Sequence, residues 1–329
     1  MFLNQINKIS CPKNKVIQKI YFSTFNNSTN KYGWNENTNP TPNVPWINQT
    51  TINWEKSEMK HVNTWLKDTN QDINTMKNYF QKHGYIKIKK VIDTKTALNK
   101  YLRMHDDLQN GEIDTPGRHD LGSHETQKQK GKENVGQIMW PSDLIENSRD
   151  GPLHERGFHI SSALLGKDFS FDFDMLIYKD ANTETETPWH QDEAYWPEGM
   201  SDKRAITMWT ALDEATVNNG AMWFIAGSHE HELYPHQSAA EGAHILMTKS
   251  VSESTKNATC IELEPGDAVI WHGRTCHYSR GNSTNQPRRT YITNFRPESM
   301  VKWERENGFD HLRKGFDDYE SQMEVAKKN

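Results

Sequence analysis

The spacing of apolar positions changes character near residue 135. Upstream, INTMKNYFQKHGYIKIKKVID carries apolar residues at helical intervals as far as Gly84, which is placed to end a helix. Tyr85, Ile86 and Ile88 then predict a short strand. Asp93 is positioned to cap a second helix, in which Ala97, Leu98, Tyr101, Leu102 and Leu108 recur at helical spacing. Downstream, GQIMWP, FDFDMLIYKD, RAITMWTALDE, GAMWFIAG, CIELEPGDAVIWH and RRTYITNFR are short β-branched and aromatic runs bounded by turn residues. They predict strands without intervening helices. Met175, Ile177 and Lys179 share one strand face and Leu176 and Tyr178 the other, while Thr207, Trp209 and Ala211 oppose Ile206, Met208 and Leu212. The expectation is a mainly β sandwich or barrel with supporting N-terminal helices.

Polar stretches divide the chain. Residues 1–58 read as an N-terminal extension, ending in an Asn-, Pro- and Thr-rich lead-in, and 59–300 as the folded domain. Residues 301–329 are a charged tail of weak periodicity. Between Asn110 and Asn134 almost nothing is apolar, which marks a candidate lid.

Among 329 residues the formal charge is −5, with Lys and Arg scattered among Asp and Glu, so no basic stripe awaits a nucleic acid. No run approaches the length and apolarity of a membrane span. Cys11, Cys260 and Cys276 form no CxxC pair and no disulfide framework, which argues for a reducing compartment rather than secretion. The first 35 residues hold five lysines and no acid, as a mitochondrial presequence would, but also no arginine and an Asn bias suited to a disordered tail. A mitochondrial and a cytoplasmic location both stand. The final VAKKN is no peroxisomal SKL-type signal.

The chemistry is concentrated in TPWHQDEAYWPEG, residues 187–199. On an extended segment His190 and Asp192 project to one side, as two adjacent ligands of one metal would. An imidazole and a carboxylate, with one more histidine, make the facial set of non-haem iron(II) oxygenases, which leaves positions open. HxD by itself is a weak signal. In GDAVIWHGRTCHYSRGNSTNQPRR both His272 and His277 follow a Pro-Gly-Asp turn, and each has a packing role as its ordinary reading.

HQD, ALDEATVNNGAMWFIAGSH, EPGDAVIWH and HYSRGNSTNQPRR, in this order, resemble the phytanoyl-CoA dioxygenase family of iron(II)/2-oxoglutarate oxygenases over roughly residues 75–297. The resemblance implies a double-stranded β-helix, a jelly roll, with the site at its mouth. It implies Fe(II) on His190, Asp192 and His277, because the family's small residue, Asn and Arg after the distal ligand fall on Ser279, Asn282 and Arg288 only when counted from His277. Arg288 would hold the far carboxylate of 2-oxoglutarate, a task suited to the planar guanidinium fork, and Arg289 would point outward. Ser279, Met175, Trp209 and Gln137 are carried over as further co-substrate contacts, although composition alone makes Met175 and Trp209 core residues. His272 and His229 are read as structural.

The activity so implied is hydroxylation of a small molecule using 2-oxoglutarate and O2, with release of succinate and CO2 and with ascorbate in support. Oxidative cyclisation or desaturation needs the same ligands. A cupin-like metal protein without 2-oxoglutarate would not need Arg288. Asp192 argues against halogenation, since halogenating relatives have Gly or Ala there. The chain is expected to act as a monomer or small homo-oligomer on a small molecule, with lipids and acyl-CoA among the candidates. No long basic cluster marks a CoA phosphate site, and Trp189, Tyr195, Trp196 and Pro197 suggest an apolar or ring-bearing wall.

Overall fold

The computed structural model describes residues 50–113, 115, 117–121, 133–239, 245–313, 315, 322 and 324. The stretch 1–49 and residues 122–132 of the expected lid lie outside the described residues.

Three helices open the described chain: α1 (Val62–Asp68), α2 (Ile73–His83) and α3 (Lys95–Gln109). Asp72 caps α2 by accepting from the Thr75 N–H, and Gly84, at φ 80°, adopts the left-handed conformation that ends it. The chain passes straight into β1 (Tyr85–Ile88), as the pattern predicts. The cap of α3 lies one residue beyond the expected one. Thr94 accepts from the Ala97 N–H, while Asp93 is taken by Arg156 at 3.0 Å.

The strands that follow are β2 (Arg118–Asp120), β3 (Val135–Met139), β4 (Phe169–Lys179), β5 (Thr187–His190), β6 (Ile206–Ala211), β7 (Met222–Ile225), β8 (Ala258–Ile261), β9 (Ala268–His272), β10 (His277–Ser279) and β11 (Arg288–Pro297). They form two antiparallel sheets, a seven-stranded one in the order β1-β9-β6-β11-β4-β3-β2 and a four-stranded one in the order β8-β7-β10-β5. This is the jelly-roll arrangement in mainly antiparallel form, without a closed barrel.

Strand alternation separates two cores. Leu176, Met208, Ile270 and Tyr291 turn outward from the large sheet and pack with Tyr101, Leu108, Leu153 and Ile160 of the helices. Trp209, Val269 and Ile292 turn inward and meet Met222 and Phe224 of the small sheet. The site is built on this inward face.

One expectation is corrected. After the single turn α4 (Pro141–Leu144), helix α5 (Pro152–Leu165) interrupts the segment read as strands alone. Its buried face includes His154, bonded to Asp174, and Arg156, bonded to Asp93, so polar residues occupy positions that periodicity expects to be apolar. A further helix, α6 (Glu298–Glu306), crosses the expected boundary at residue 300, and Val301, Glu304, Phe309, His311 and Arg313 beyond it are buried.

Candidate active site

Pairing between β5 and β10 sets His190 directly opposite His277, with ring centroids 4.2 Å apart. Gln191 continues the extended backbone beyond β5, so Asp192 returns to the side of His190 before the chain turns into a short 3-10 helix. Asp192 Oδ1 lies 3.6 Å from His190 Nε2 and 3.4 Å from His277 Nε2. One ligand atom from each residue lies within 4.8 Å of the others, as one small cation requires.

Surrounding bonds aim these atoms. His190 Nδ1 donates to the Pro188 carbonyl at 2.7 Å and His277 Nδ1 to the Thr275 carbonyl at 2.9 Å. A carbonyl can only accept, so each ring keeps its proton on Nδ1 and leaves the Nε2 lone pair for a metal. Asp192 Oδ2 accepts from Trp271 Nε1 at 2.8 Å and Thr207 Oγ1 at 2.9 Å, which leaves Oδ1 for the cation. Thr207 Oγ1 is also 2.9 Å from Asn294 Oδ1, yet a hydroxyl has one proton to give. Turning the Asn294 amide so that Nδ2 donates to Thr207 completes the chain from Asn294 through Thr207 to Asp192 and gives a partner to an otherwise unbonded Nδ2.

The electrostatics match ligand chemistry. Burial opposes ionisation of Asp192, but the imidazoles of His277 and His190 and the Trp271 N–H outweigh it and hold the carboxyl well below its usual range. Burial, reinforced by His190, pushes His277 down to about 4, so it is neutral near pH 7. A carboxylate and a neutral imidazole are the forms in which these side chains bind a divalent metal.

The three residues open onto a cavity of about 250 Å³ whose wall also contains Gln137, Met175, Trp209, Ser279 and Arg288. All five co-substrate candidates therefore meet the histidines and Asp192 in one space. Arg288 is 1% exposed, stacks over the Trp209 ring at 5.0 Å, and reaches only the Asn219 carbonyl, at 3.4 Å, through Nε. Its Nη1 has no hydrogen-bond partner, and no carboxylate lies within ion-pair distance among the described residues. Burial pushes its pKa down to about 9, still above neutrality. A buried cation with an idle donor fits an anionic ligand such as a carboxylate. Ser279 donates to the Gly220 carbonyl at 2.7 Å, and Gln137 Nε2 lies 3.2 Å from Met175 Sδ.

Other expectations sort themselves around this cavity. His272 is outside the wall, accepting at Nδ1 from the Arg274 N–H, and His229 bonds the Gln81 carbonyl. Arg289 turns away and ties Asp213 and Asp106, joining sheet to helix α3. Asn282 is buried in the turn, bonded to the Gln286 carbonyl. Of the aromatic run, Tyr195 and Trp196 line the cavity, but Trp189 faces the other side of β5 and stacks on Tyr278 at 5.0 Å.

Several wall residues had no signal in the sequence. Thr207, Trp271 and Asn294 are ordinary strand residues by pattern, and Phe309, His311, Leu312 and Gln322 belong to the stretch set aside as a tail. Lys179, opposite Arg288 in the β4–β11 pairing, is buried with its ammonium on the Thr185 and Ser279 carbonyls at 3.2 and 3.1 Å.

A profile of the phytanoyl-CoA dioxygenase (PhyH) family matches residues 80–290. Phytanoyl-CoA dioxygenase of Arabidopsis thaliana is 26% identical over 185 residues, covering 52% of this chain and 64% of that protein. The peroxisomal phytanoyl-CoA dioxygenase of Homo sapiens is 32% identical over 127 residues, covering 37% of each. The matches thus span less than two thirds of these relatives. Among solved structures, EvdO2 of Micromonospora carbonacea var. aurantiaca complexed with 2-oxoglutarate aligns at TM-score 0.56 and 29% identity, over 68% of this chain and 94% of that one. The epimerase SnoN, in complex with Fe3+, alpha ketoglutarate and nogalamycin RO, shares the fold at TM-score 0.55 and 20% identity, over 68% of this chain and 82% of its own.

Proposed function

The chain belongs to the phytanoyl-CoA dioxygenase family, and we propose that it is an Fe(II)- and 2-oxoglutarate-dependent dioxygenase that hydroxylates a small molecule. His190, Asp192 and His277 would hold the metal, and Arg288 the far carboxylate of 2-oxoglutarate. The observation that carries this reading is the coincidence, in one cavity, of three converging ligand atoms and a buried guanidinium that no carboxylate among the described residues pairs with directly. A cupin-like protein without 2-oxoglutarate would have no use for that uncompensated charge.

Bound iron and 2-oxoglutarate supply the oxidising power: a C–H bond and O2 become an alcohol, with 2-oxoglutarate leaving as succinate and CO2. The protein's contribution is position and environment. His190 and His277 offer fixed lone pairs, and Thr207 and Trp271 restrict Asp192 to one coordinating oxygen. Arg288, with Trp209 beneath it, orients the co-substrate, while Gln137, Met175 and Ser279 bound the same space. Tyr195 and Trp196 keep water from the reacting centre. The uncommitted Asp192 Oδ1 disfavours halogenation, since it occupies the position a halide would need.

Equilibrium titration of the apo-protein with Fe(II) under anaerobic conditions tests the ligand set. One Fe(II) per chain is expected, with affinity falling at least about 100-fold in Asp192→Ala. Unchanged affinity in that variant would rule out the assignment.

A further inference from the structure

The cavity has two ends. Along β11 the inward residues run Arg288, Ile292, Asn294, and β4 runs alongside, with Lys179 opposite Arg288 and Met175 opposite Ile292. Arg288 and Asn294 are thus separated by six strand residues, roughly 20 Å along the sheet. Asn294 pairs with Thr207, which holds Asp192, so the ligand residues stand beside that second level. Arg288 and Ser279 mark one end of the cavity. Met139 lies level with Ile292, and Phe173, Phe309, His311, Leu312 and Gln322 complete the wall away from Arg288.

That far end is built with care. His311 and Leu312 both have positive φ, 53° and 61°, which side-chain-bearing residues adopt only where their surroundings impose it. Trp140 Nε1 donates to the His311 carbonyl at 3.0 Å, Arg305 to the Phe309 carbonyl at 3.1 Å, and Gln322 accepts from the Leu312 N–H at 3.0 Å. The His311 ring lies flat on Phe173, centroids 3.9 Å apart. Its Nε2 donates to Glu304 Oε2 at 3.1 Å, with Asp172 Oδ2 at 3.3 Å. Arg296 and Arg305 reach the same two carboxylates. For Nδ1 the described residues offer no partner, and in an imidazole whose single proton is on Nε2 that atom is an acceptor. The other polar groups there are engaged, Gln322 at both ends of its amide and Gln137 at Met175.

We infer that this end, closed by residues 309–312, receives the prime substrate, and that His311 Nδ1 accepts a hydrogen bond from a hydroxyl on a compact, otherwise apolar molecule. The inference rests on the oxygenase reading above, which assigns the Arg288 end to 2-oxoglutarate. The guanidinium groups behind the far end, Arg296, Arg305 and Arg313, are bonded to Asp172, Glu304 and Asp143, which leaves none of them for the phosphates of a CoA thioester. Phe173, Met139, Phe309 and Leu312 suit a hydrocarbon frame.

The test uses the full chain loaded with Fe(II) under anaerobic conditions and three probes: borneol, its methyl ether, and decanoyl-CoA. Binding is followed by calorimetry, with 2-oxoglutarate titrated separately. Borneol should bind about tenfold or more tightly than the ether, the worth of one buried hydrogen bond, and decanoyl-CoA more weakly than borneol. In His311→Lys the ammonium still reaches Glu304 but no acceptor remains, so the preference for alcohol over ether should vanish while 2-oxoglutarate affinity is retained. Equal binding of alcohol and ether by the unaltered protein, no measurable binding of either, tighter binding of decanoyl-CoA, or an undiminished preference in His311→Lys would overturn the inference. Failure to bind 2-oxoglutarate would instead count against the oxygenase reading itself.

Discussion

At the scale of single residues, the sequence pointed to His190, Asp192 and His277, which the fold brings together, because their chemistry is scarce and their spacing constrained. HxD offered a pair, and the run from His277 to Arg288 separated His277 from His272, which the pattern of polar and apolar residues alone leaves equivalent. Residues that act through others were not legible. Thr207, Trp271 and Asn294 read as strand residues, and only the fold brings them to Asp192. The Arg288 assignment carries its own prediction. Arg288→Lys keeps the charge but loses the fork, so KM for 2-oxoglutarate should rise about tenfold or more with a smaller change in kcat. Steady-state kinetics with 2-oxoglutarate varied will check this, and an unaltered KM would remove Arg288 from the co-substrate.

Among the elements, legibility followed the polarity of what is buried. Helix α2 and strand β1 were readable because Met76 and Phe80 supply a conventional apolar face and Gly84 a conventional stop. Helix α5 was hidden because histidine, glutamate and arginine lie on its buried side, balanced by partners that a single sequence does not reveal. The same reason masks the last described stretch: the charges of Glu304 and Arg305 look like a solvated tail but are met inside the protein by Arg296 and Asp172 of the strands. Gly84 illustrates how narrowly a junction is specified. A Cβ there would stand 2.4 Å from His229 Nδ1 and 2.6 Å from Thr275 Oγ1, on a backbone at φ 80°. Gly84→Ala should therefore destabilise the fold by about 1–3 kcal/mol, read as a lower denaturant midpoint with an unchanged slope.

For the whole molecule, pattern and resemblance yielded two facing antiparallel sheets with helices behind the larger one, and the closure of the barrel is the part that differs. Ionisation links the site to overall stability. Burial lowers His105 to about 3 and His272 and His277 to about 4, so each binds a proton more readily in the unfolded chain. Between the ordinary histidine value and these lowered ones, the unfolded state holds more protons, and stability falls as pH falls. Each such group contributes on the order of 1 kcal/mol per pH unit in that window. The metal-free protein should thus lose melting temperature steadily from pH 7 to pH 5, and a flat profile there would contradict neutral burial of these rings. Added Fe(II) should raise the melting temperature throughout this range, because His277 stays neutral in the folded protein down to about pH 5 and keeps its Nε2 lone pair.

The most direct measurement is succinate released from 2-oxoglutarate by the full chain with Fe(II), ascorbate and O2, compared between the unaltered protein and His277→Ala. The account predicts iron-dependent succinate from the former and background alone from the latter. Equal release by both, or none from the unaltered protein whatever substrate extract is added, would contradict it.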